Sequence, residues 1–179
     1  MDRDAFSYGR TFFYVRALGF LAVFTLALGI LAFQTVTPSG WVGLVAFLFV
    51  AYLIVVGLSP LLTKHSVLRS RIILRQGWYF RCIVPFEDVE SFGPWDGEPK
   101  YGLRISLARR TLYAVGSTHN LVFLRLRRPR GFSQVLFLEA KEIVFDVNDR
   151  DRFLAALQER RESGPPLPAH KVLVLPAKR

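Results

Sequence analysis

The feature that most constrains this chain is a run of 47 consecutive residues, 17–63, without Asp, Glu, Lys, Arg or His. Hydrophobic residues make up 33 of these 47 positions, against 51 of the 116 positions from 64 to 179. Charged side chains normally cover the outside of a helix that faces water, so an uncharged run of this length indicates a membrane segment. The chain therefore divides near residue 63, and a water-exposed domain is expected after it.

A turn cluster of Thr, Pro, Ser and Gly at 34–40 interrupts the uncharged run. It leaves two predicted spans, 17–36 and 41–62, each long enough to cross a hydrocarbon core of about 30 Å. Their Leu, Ile, Phe and Val side chains favour insertion by roughly −3 to −8 kcal/mol per helix. Two alternatives remain, a pair of buried core helices or a cleaved signal peptide after Arg16. A second span and the lack of a small-residue cleavage site disfavour the signal peptide.

The distribution of positive charge predicts the orientation of the two spans. The flank 1–16 contains three Arg residues, the connecting loop contains no charge, and Lys64 opens a strongly basic stretch. Both termini are therefore expected in the cytoplasm of a prokaryotic cell, with the spans in its plasma membrane. Arg16, Trp41 and Lys64 are the candidate interface anchors. Neither span contains an ionisable residue, which disfavours a pump or a channel formed by these helices alone.

The region after residue 63 changes to the two-residue period of β-strands. Alternation predicts a sheet with one dry and one wet face, and the period becomes helical after Asn148, a candidate N-cap. The helix is expected to stop at Gly164, before a Pro-rich basic tail at 163–179. Strands are expected at 67–75, 78–84, 103–107, 112–116, 121–127, 135–138 and 143–147, with turns at 76–77 and 128–131.

Two stretches of this region carry a resemblance to a known family. In Val67–Phe92 an Arg-Ile-Ile-Leu-Arg strand, a Gly turn and an aromatic, basic strand precede Val84-Pro85-Phe86-Glu87-Asp88-Val89. Glu142–Leu157 joins an apolar strand to an amphipathic helix. The arrangement resembles bacterial pleckstrin-homology-like (PH-like) membrane proteins over residues 64–162. The resemblance implies an α+β domain, an antiparallel, about seven-stranded, partly open barrel or sandwich with one C-terminal helix, and transfers no catalytic residue.

The sequence offers little for catalysis or metal binding. His65, His119 and His170 are isolated, and neither a CxxC pair, a phosphate loop nor a GxSxG motif is present. Gly116-Ser117-Thr118-His119 is typical of a polar turn, and the single Cys82 is expected as a buried strand residue. We therefore expect no metal, no cofactor and no enzymatic activity.

The basic residues are the stronger lead. Residues 64–179 contain 21 Lys or Arg against 12 Asp or Glu, a net charge of +9. Beside an inner leaflet, anionic lipids attract such groups by about 1 kcal/mol each. The alternative is that these residues are solvated cations that only follow the positive-inside rule. The candidate lipid-binding face is Arg69, Arg71, Arg75, Arg125, Arg127, Arg128 and Arg130.

Two hypotheses on function follow from these patterns. The first is a non-catalytic, membrane-anchored scaffolding or regulatory protein whose partners are the bilayer and its anionic phospholipids. The alternative is an assembly subunit that binds other membrane proteins or self-oligomerises through its PH-like domain, for instance by strand addition. A pI near 10.4 permits nucleic-acid binding, but no recognition motif accompanies the charge, and we do not expect it.

Overall fold

The computed structural model describes residues 4–33, 39–132 and 138–163, and these residues form an α+β fold. Two long apolar helices are followed by two β-sheets and one C-terminal helix. The centre of the predicted turn at 34–40, most of the predicted strand at 135–138 and the tail from 164 lie outside the described residues.

Two helices are long and apolar enough to cross a membrane, over Thr11–Leu31 and Gly40–Leu62. The first, α1, comprises Thr11–Phe33 and so begins well before the uncharged run. The second apolar helix consists of α2 (Ser39–Tyr52), a π-helical stretch (Leu53–Leu58) and α3 (Ser59–Leu62). Pro60 explains the π-helical stretch, because proline has no N–H to donate to the backbone carbonyl one helical turn earlier.

The two apolar helices pack through aromatic rings and small residues. Phe24 stacks on Phe49 with ring centroids 3.5 Å apart, and Phe20 meets Tyr52 edge-on at 4.9 Å. A Cβ atom at Gly57 would lie 3.6 Å from the Ala17 Cβ, which is an ordinary van der Waals distance, so the helices meet at this pair of small residues.

The first sheet is antiparallel, in the order β1-β2-β3-β4. The single strand predicted at 67–75 is wrong, because the chain reverses there and Val67 pairs with Ile72. The Leu68 N–H donates to the Arg71 carbonyl (2.9 Å) and closes this turn. Strand β1 lies in the flank before the helices and was not predicted. The strands are β1 (Asp4–Phe6), β2 (His65–Val67), β3 (Arg71–Gln76) and β4 (Phe80–Pro85).

The second sheet follows a 3-10 turn at Phe86–Asp88 and has the order β5-β8-β9-β7-β6. Strand β9 pairs with β8 antiparallel and with β7 parallel, so the expectation of a wholly antiparallel sheet is wrong. The described residues form nine strands, more than the seven expected. The strands are β5 (Val89–Pro94), β6 (Gly102–Ser106), β7 (Thr111–Val115), β8 (Leu121–Phe132) and β9 (Leu138–Asp146).

The turn predicted at 128–131 is also wrong, because these residues continue strand β8. The register of β8 against β9 shifts between Arg125 and Arg130, so the chain forms a bulge instead of a reversal. Pro129 has no N–H to donate to a ladder, and such a bulge accommodates it.

The C-terminal helix α4 comprises Arg150–Ser163. Its cap is Asp149 and not the predicted Asn148, because Asp149 Oδ1 accepts the Arg152 N–H at 3.2 Å. Asn148 instead donates its backbone N–H to the Ser7 carbonyl (2.8 Å), which ties the start of α4 to the N-terminal segment.

The main core lies between the two sheets and α4, with Leu74, Leu124 and Phe153 at its centre. The predicted alternation of β8 is confirmed, since Val122, Leu124 and Leu126 are buried and Arg125 and Arg127 are exposed. The expectation of one wet face is wrong for β7, which is buried on both sides. A second cluster of Tyr113, Val115, Leu121 and Val144 occupies the opposite face, under Trp95 and Phe123.

We expect Phe153→Ala to lower the free energy of unfolding by about 3–5 kcal/mol, because it leaves a cavity in the core. The Phe153 ring is fully buried and meets Phe6 at 4.9 Å and Phe145 at 5.5 Å between centroids. Urea unfolding of the full chain in mild detergent, followed by thiol labelling of the buried Cys82, measures the loss. Gln158→Ala on the exposed face of α4 is the control, and equal losses in both variants would contradict the assignment.

Candidate functional site at the junction of the helices and the β domain

A buried tyrosine joins three separate segments where the second apolar helix ends. The Tyr8 hydroxyl donates to the Pro60 carbonyl (2.5 Å) and lies 2.7 Å from Thr63 Oγ1. Thr63 Oγ1 also accepts the Gly77 N–H from the β3–β4 turn at 2.9 Å. Burial raises the pKa of Tyr8, so the hydroxyl keeps its proton and its role as donor. We call this contact region the junction.

The β3–β4 turn docks directly on the last turn of the second apolar helix. The backbone N–H of Trp78 donates to Ser59 Oγ at 3.0 Å, and the Ser59 hydroxyl in turn donates to the Val55 carbonyl. Gly77 has φ +67°, and a Cβ there would lie 2.6 Å from Ser59 Oγ. Only glycine meets both conditions without strain, so the docking depends on Gly77.

Asp146 fixes the segment that enters α1. Its carboxylate is almost completely buried and accepts the N–H groups of Gly9 and Gly116, each at 2.6 Å. Burial raises the pKa of Asp146 to about 7, and the hydrogen bonds from Gly116 and Gly9 oppose that rise. The carboxylate therefore holds Gly9, just before α1, against the end of β7.

A pair of glycines makes this crossing possible. A Cβ at Gly116 would overlap the Gly9 carbonyl and lie 2.6 Å from the Phe13 ring. The Phe12 N–H donates to the Gly116 carbonyl at 3.3 Å, so the first turn of α1 rests on the β7–β8 loop.

His65 lies inside the junction and is not available as a surface base. Its ring stacks on Tyr8 at 4.8 Å and meets Phe145 edge-on at 5.3 Å. Its Nδ1 accepts the Arg75 N–H at 3.1 Å, which requires that nitrogen to be unprotonated. Burial lowers the pKa of His65 to about 3. Cys82 is buried as predicted, and burial raises the pKa of its thiol to about 12.

Aromatic and basic side chains surround the junction on its outer side. Trp78 is 61% exposed at the tip of the β3–β4 turn. Arg75 and Arg81 lie directly opposite each other on the paired strands, next to that tip. The two side chains therefore form a basic patch next to the docked turn.

The arginines predicted as one lipid-binding face lie in the β2–β3 turn, on β3 and on β8. Arg71 and Arg75 share the outward face of β3, but Arg69 lies in the β2–β3 turn, so its predicted place on the same strand is wrong. Along β3, Arg71 is about 13 Å farther than Arg75 from the docked turn. Arg75 is therefore the member of this group at the junction.

The arginines of β8 serve partly to hold the two sheets. Arg125 pairs with Glu142 at 3.2 Å. Arg130 donates to the Ile83 carbonyl of β4 (2.8 Å) and lies 4.0 Å from Asp88. Arg127 and Arg128 are exposed on the same strand. These contacts give Arg125 and Arg130 protein partners.

Of the predicted interface anchors, Trp41 and Lys64 lie at the ends of the second apolar helix, and Arg16 lies in the second turn of α1. Arg16 in α1 donates to the Tyr52 hydroxyl at 2.9 Å and lies over the Phe20 ring. Trp41 is exposed in the first turn of α2, and Lys64 is exposed directly after α3.

Sequence reasoning missed the residues that build the junction. The charge of the N-terminal flank does not indicate the roles of Tyr8 and Gly9, and the apolar strand pattern at 143–147 does not indicate the role of Asp146. A Gly-aromatic pair at 77–78 and a lone acid in an apolar strand were the available signals. Comparisons of the chain with protein-family models, curated proteins and solved structures return no match.

Asp146 predicts a pH dependence of folding with a definite sign. Its pKa is raised to about 7 in the folded state, so Asp146 contributes most to the free energy of unfolding below about pH 4. This contribution, on the order of 4 kcal/mol, is lost as the pH rises towards about 7. His65 acts in the opposite direction, because its pKa is lowered and protonation of the unfolded chain is favoured below about pH 6.5.

We therefore expect Asp146→Asn to remove the contribution of Asp146 to the pH dependence of the free energy of unfolding, while the contribution of His65 remains. The unfolding free energy of the variant should rise between pH 4 and 6.5 more steeply than that of the wild type. Urea unfolding of the full chain in detergent across this range measures both curves. Parallel curves, offset only by the lost hydrogen bond, would contradict the shifted pKa of Asp146.

Proposed function

We propose that this protein is an integral membrane protein of a prokaryotic plasma membrane with a non-catalytic scaffolding or regulatory role. Both apolar helices cross the bilayer, and the α+β domain is a PH-like module on the cytoplasmic side. The β3–β4 hairpin at its start and the final strand and helix support the PH-like assignment. The nine strands and the parallel pair depart from the expected pattern.

The observation that carries the proposal is the docking of the β3–β4 turn on the end of the second apolar helix. Its hydrogen bonds to Ser59 and Thr63 hold the turn, with Trp78 at its tip and Arg75 and Arg81 beside it, against the end of that helix. Tryptophan favours the bilayer interface, and arginine is attracted to anionic headgroups. We infer that these three residues contact the headgroups of the inner leaflet.

The topology can be tested with single cysteines in a Cys82→Ser background. We expect Thr37→Cys, between the helices, to react in intact cells with a thiol reagent that does not cross membranes. Ala108→Cys in the exposed β6–β7 turn should react only after the cells are opened. Labelling of both positions from outside, or extraction of the chain by alkaline carbonate, would overturn the proposed topology.

We expect Arg75→Glu with Arg81→Glu to weaken the contact between the β domain and anionic lipid. At about 1 kcal/mol per basic residue, two charge reversals remove several kcal/mol of attraction near the surface. The measurement is quenching of Trp78 fluorescence by nitroxide-headgroup lipid in nanodiscs with and without phosphatidylglycerol, with Trp41 and Trp95 replaced by Phe.

The matched control is Arg69→Glu with Arg71→Glu, which makes the same charge change at the β2–β3 turn and the start of β3, farther from the docked turn. The wild type and this control should show more quenching when phosphatidylglycerol is present, and less at high salt. Indifference of the wild type to anionic lipid would remove lipid contact from the proposed function. Equal effects of the two double variants would contradict the special place of Arg75 and Arg81.

One observation favours the alternative, an assembly subunit. Strand β6 is an edge of the second sheet, paired within the described residues with β7 alone. An edge strand of this kind accepts an extended segment by strand addition. Crosslinking in intact membranes distinguishes the two roles, because discrete higher-order bands support assembly and monomer alone supports lipid contact.

A further inference from the structure

A small pocket lies between the first turns of α1 and the β7–β8 loop. Its volume is about 320 Å³, and its two walls differ in polarity. Phe12 and Tyr101, stacked at 5.3 Å, form the apolar wall together with Val15. Hydroxyl groups and one imidazole form the polar wall, from Thr11, Ser117, Thr118 and His119.

The pocket lies at headgroup depth if the apolar helices span the bilayer, and to that extent the inference rests on the proposed function. The interfacial layer on each side of the hydrocarbon is roughly 5–8 Å thick, the rise of about four to five helical residues. Residues 11–15 of α1 occupy this distance just before Arg16, the last charged residue ahead of the uncharged run.

A shallow, open apolar groove of about 790 Å³, lined by α1 alone, lies farther along the same face of that helix. The face follows helical spacing through Thr11, Val15, Leu18, Ala22 and Gly29. Groove residues extend from Leu18 to Phe33, so the groove exceeds the roughly 15 Å depth of one leaflet.

The second apolar helix leaves this face uncovered. The second apolar helix contacts Ala17, Phe20 and Phe24 of α1, which lie on the side of α1 opposite the groove. Thr25 lies in the groove, but its hydroxyl donates to the Leu21 carbonyl at 2.8 Å. The groove therefore presents no unpaired donor to hydrocarbon, whereas the pocket at its end does present donors.

We propose that one phospholipid binds here, with its phosphodiester in the pocket and an acyl chain in the groove. Ser117 Oγ accepts the His119 backbone N–H (3.3 Å), so its own proton remains to be donated to a phosphate oxygen. Thr11, Thr118 and the His119 imidazole supply further hydrogen bonds of the same kind. The site therefore offers hydrogen-bond donors in the pocket and apolar side chains in the groove, as a phospholipid has a polar headgroup followed by acyl chains.

The test is native mass spectrometry of the full chain purified in mild detergent and mixed with phosphatidylglycerol, phosphatidylethanolamine or diacylglycerol. We expect one phospholipid retained per chain, and retention of phosphate-free diacylglycerol weaker by about tenfold because the polar wall stays unpaired. Soluble glycerol phosphate should not bind measurably, because it lacks the acyl chain for the groove.

Two variants block the two halves of the site, each with a matched control. A Cβ at Gly29 would meet nothing within 4 Å, so Gly29→Phe fills the groove without internal strain. It should lower retention by about tenfold. The control Gly43→Phe, on the second helix, also has nothing within 4 Å and should leave retention unchanged. Thr118→Glu should repel the phosphate, and Ala108→Glu, in an exposed turn, should not.

The outcomes separate this inference from the proposed function. If the wild type resists carbonate extraction but retains no lipid, or if Gly29→Phe and Thr118→Glu retain it fully, the lipid site is overturned alone. If Gly29→Phe instead converts a dimer into a monomer, a second copy covers the groove and the site is likewise overturned. If carbonate extracts the wild type, both proposals fail.

Discussion

The buried carboxylate of Asp146 is the interaction on which the arrangement of the molecule depends. An ionised carboxylate loses its hydration when buried, and two backbone N–H groups, from Gly9 and Gly116, compensate part of that loss. Gly9 and Gly116 both lie outside the strands, so their N–H groups are not used in a sheet. The carboxylate needs these two donors, and the donors need the carboxylate as their acceptor. The start of α1 is consequently fixed against β7, and Tyr8 is positioned to reach the end of the second apolar helix.

The two apolar helices are thereby inserted between two strands of the β domain and are not attached to it at one end only. Strand β1 precedes α1 and pairs with β2, which follows the second apolar helix, so both helices form one long β1–β2 connection. Phe6 in β1 meets Phe153 of α4, and Asp4 pairs with Arg160 at 3.2 Å. The N-terminal segment therefore belongs to the same core as the C-terminal helix.

The sequence predicts the features that depend on local pattern. The apolar helices follow from an uncharged run, the buried face of β8 from alternation, and α4 from a change of period. The reversal at 68–70 and the passage of Pro129 through β8 were not predictable, because hydrogen bonds with distant strands decide them. The parallel β7–β9 pair and the roles of Tyr8 and Asp146 depend on contacts between residues 30 or more positions apart, which a local pattern does not contain.

A domain attached at two points responds differently from one held by a linker. The β3–β4 turn is bonded to the second apolar helix, and the β7–β8 loop is bonded to the start of α1. Any displacement of one helix relative to the other must therefore move one of these loops or break buried hydrogen bonds, whose loss costs on the order of 1–3 kcal/mol each. This coupling favours the proposed role of a scaffold or a regulator, in which the helices and the β domain act together, over the role of a passive tether.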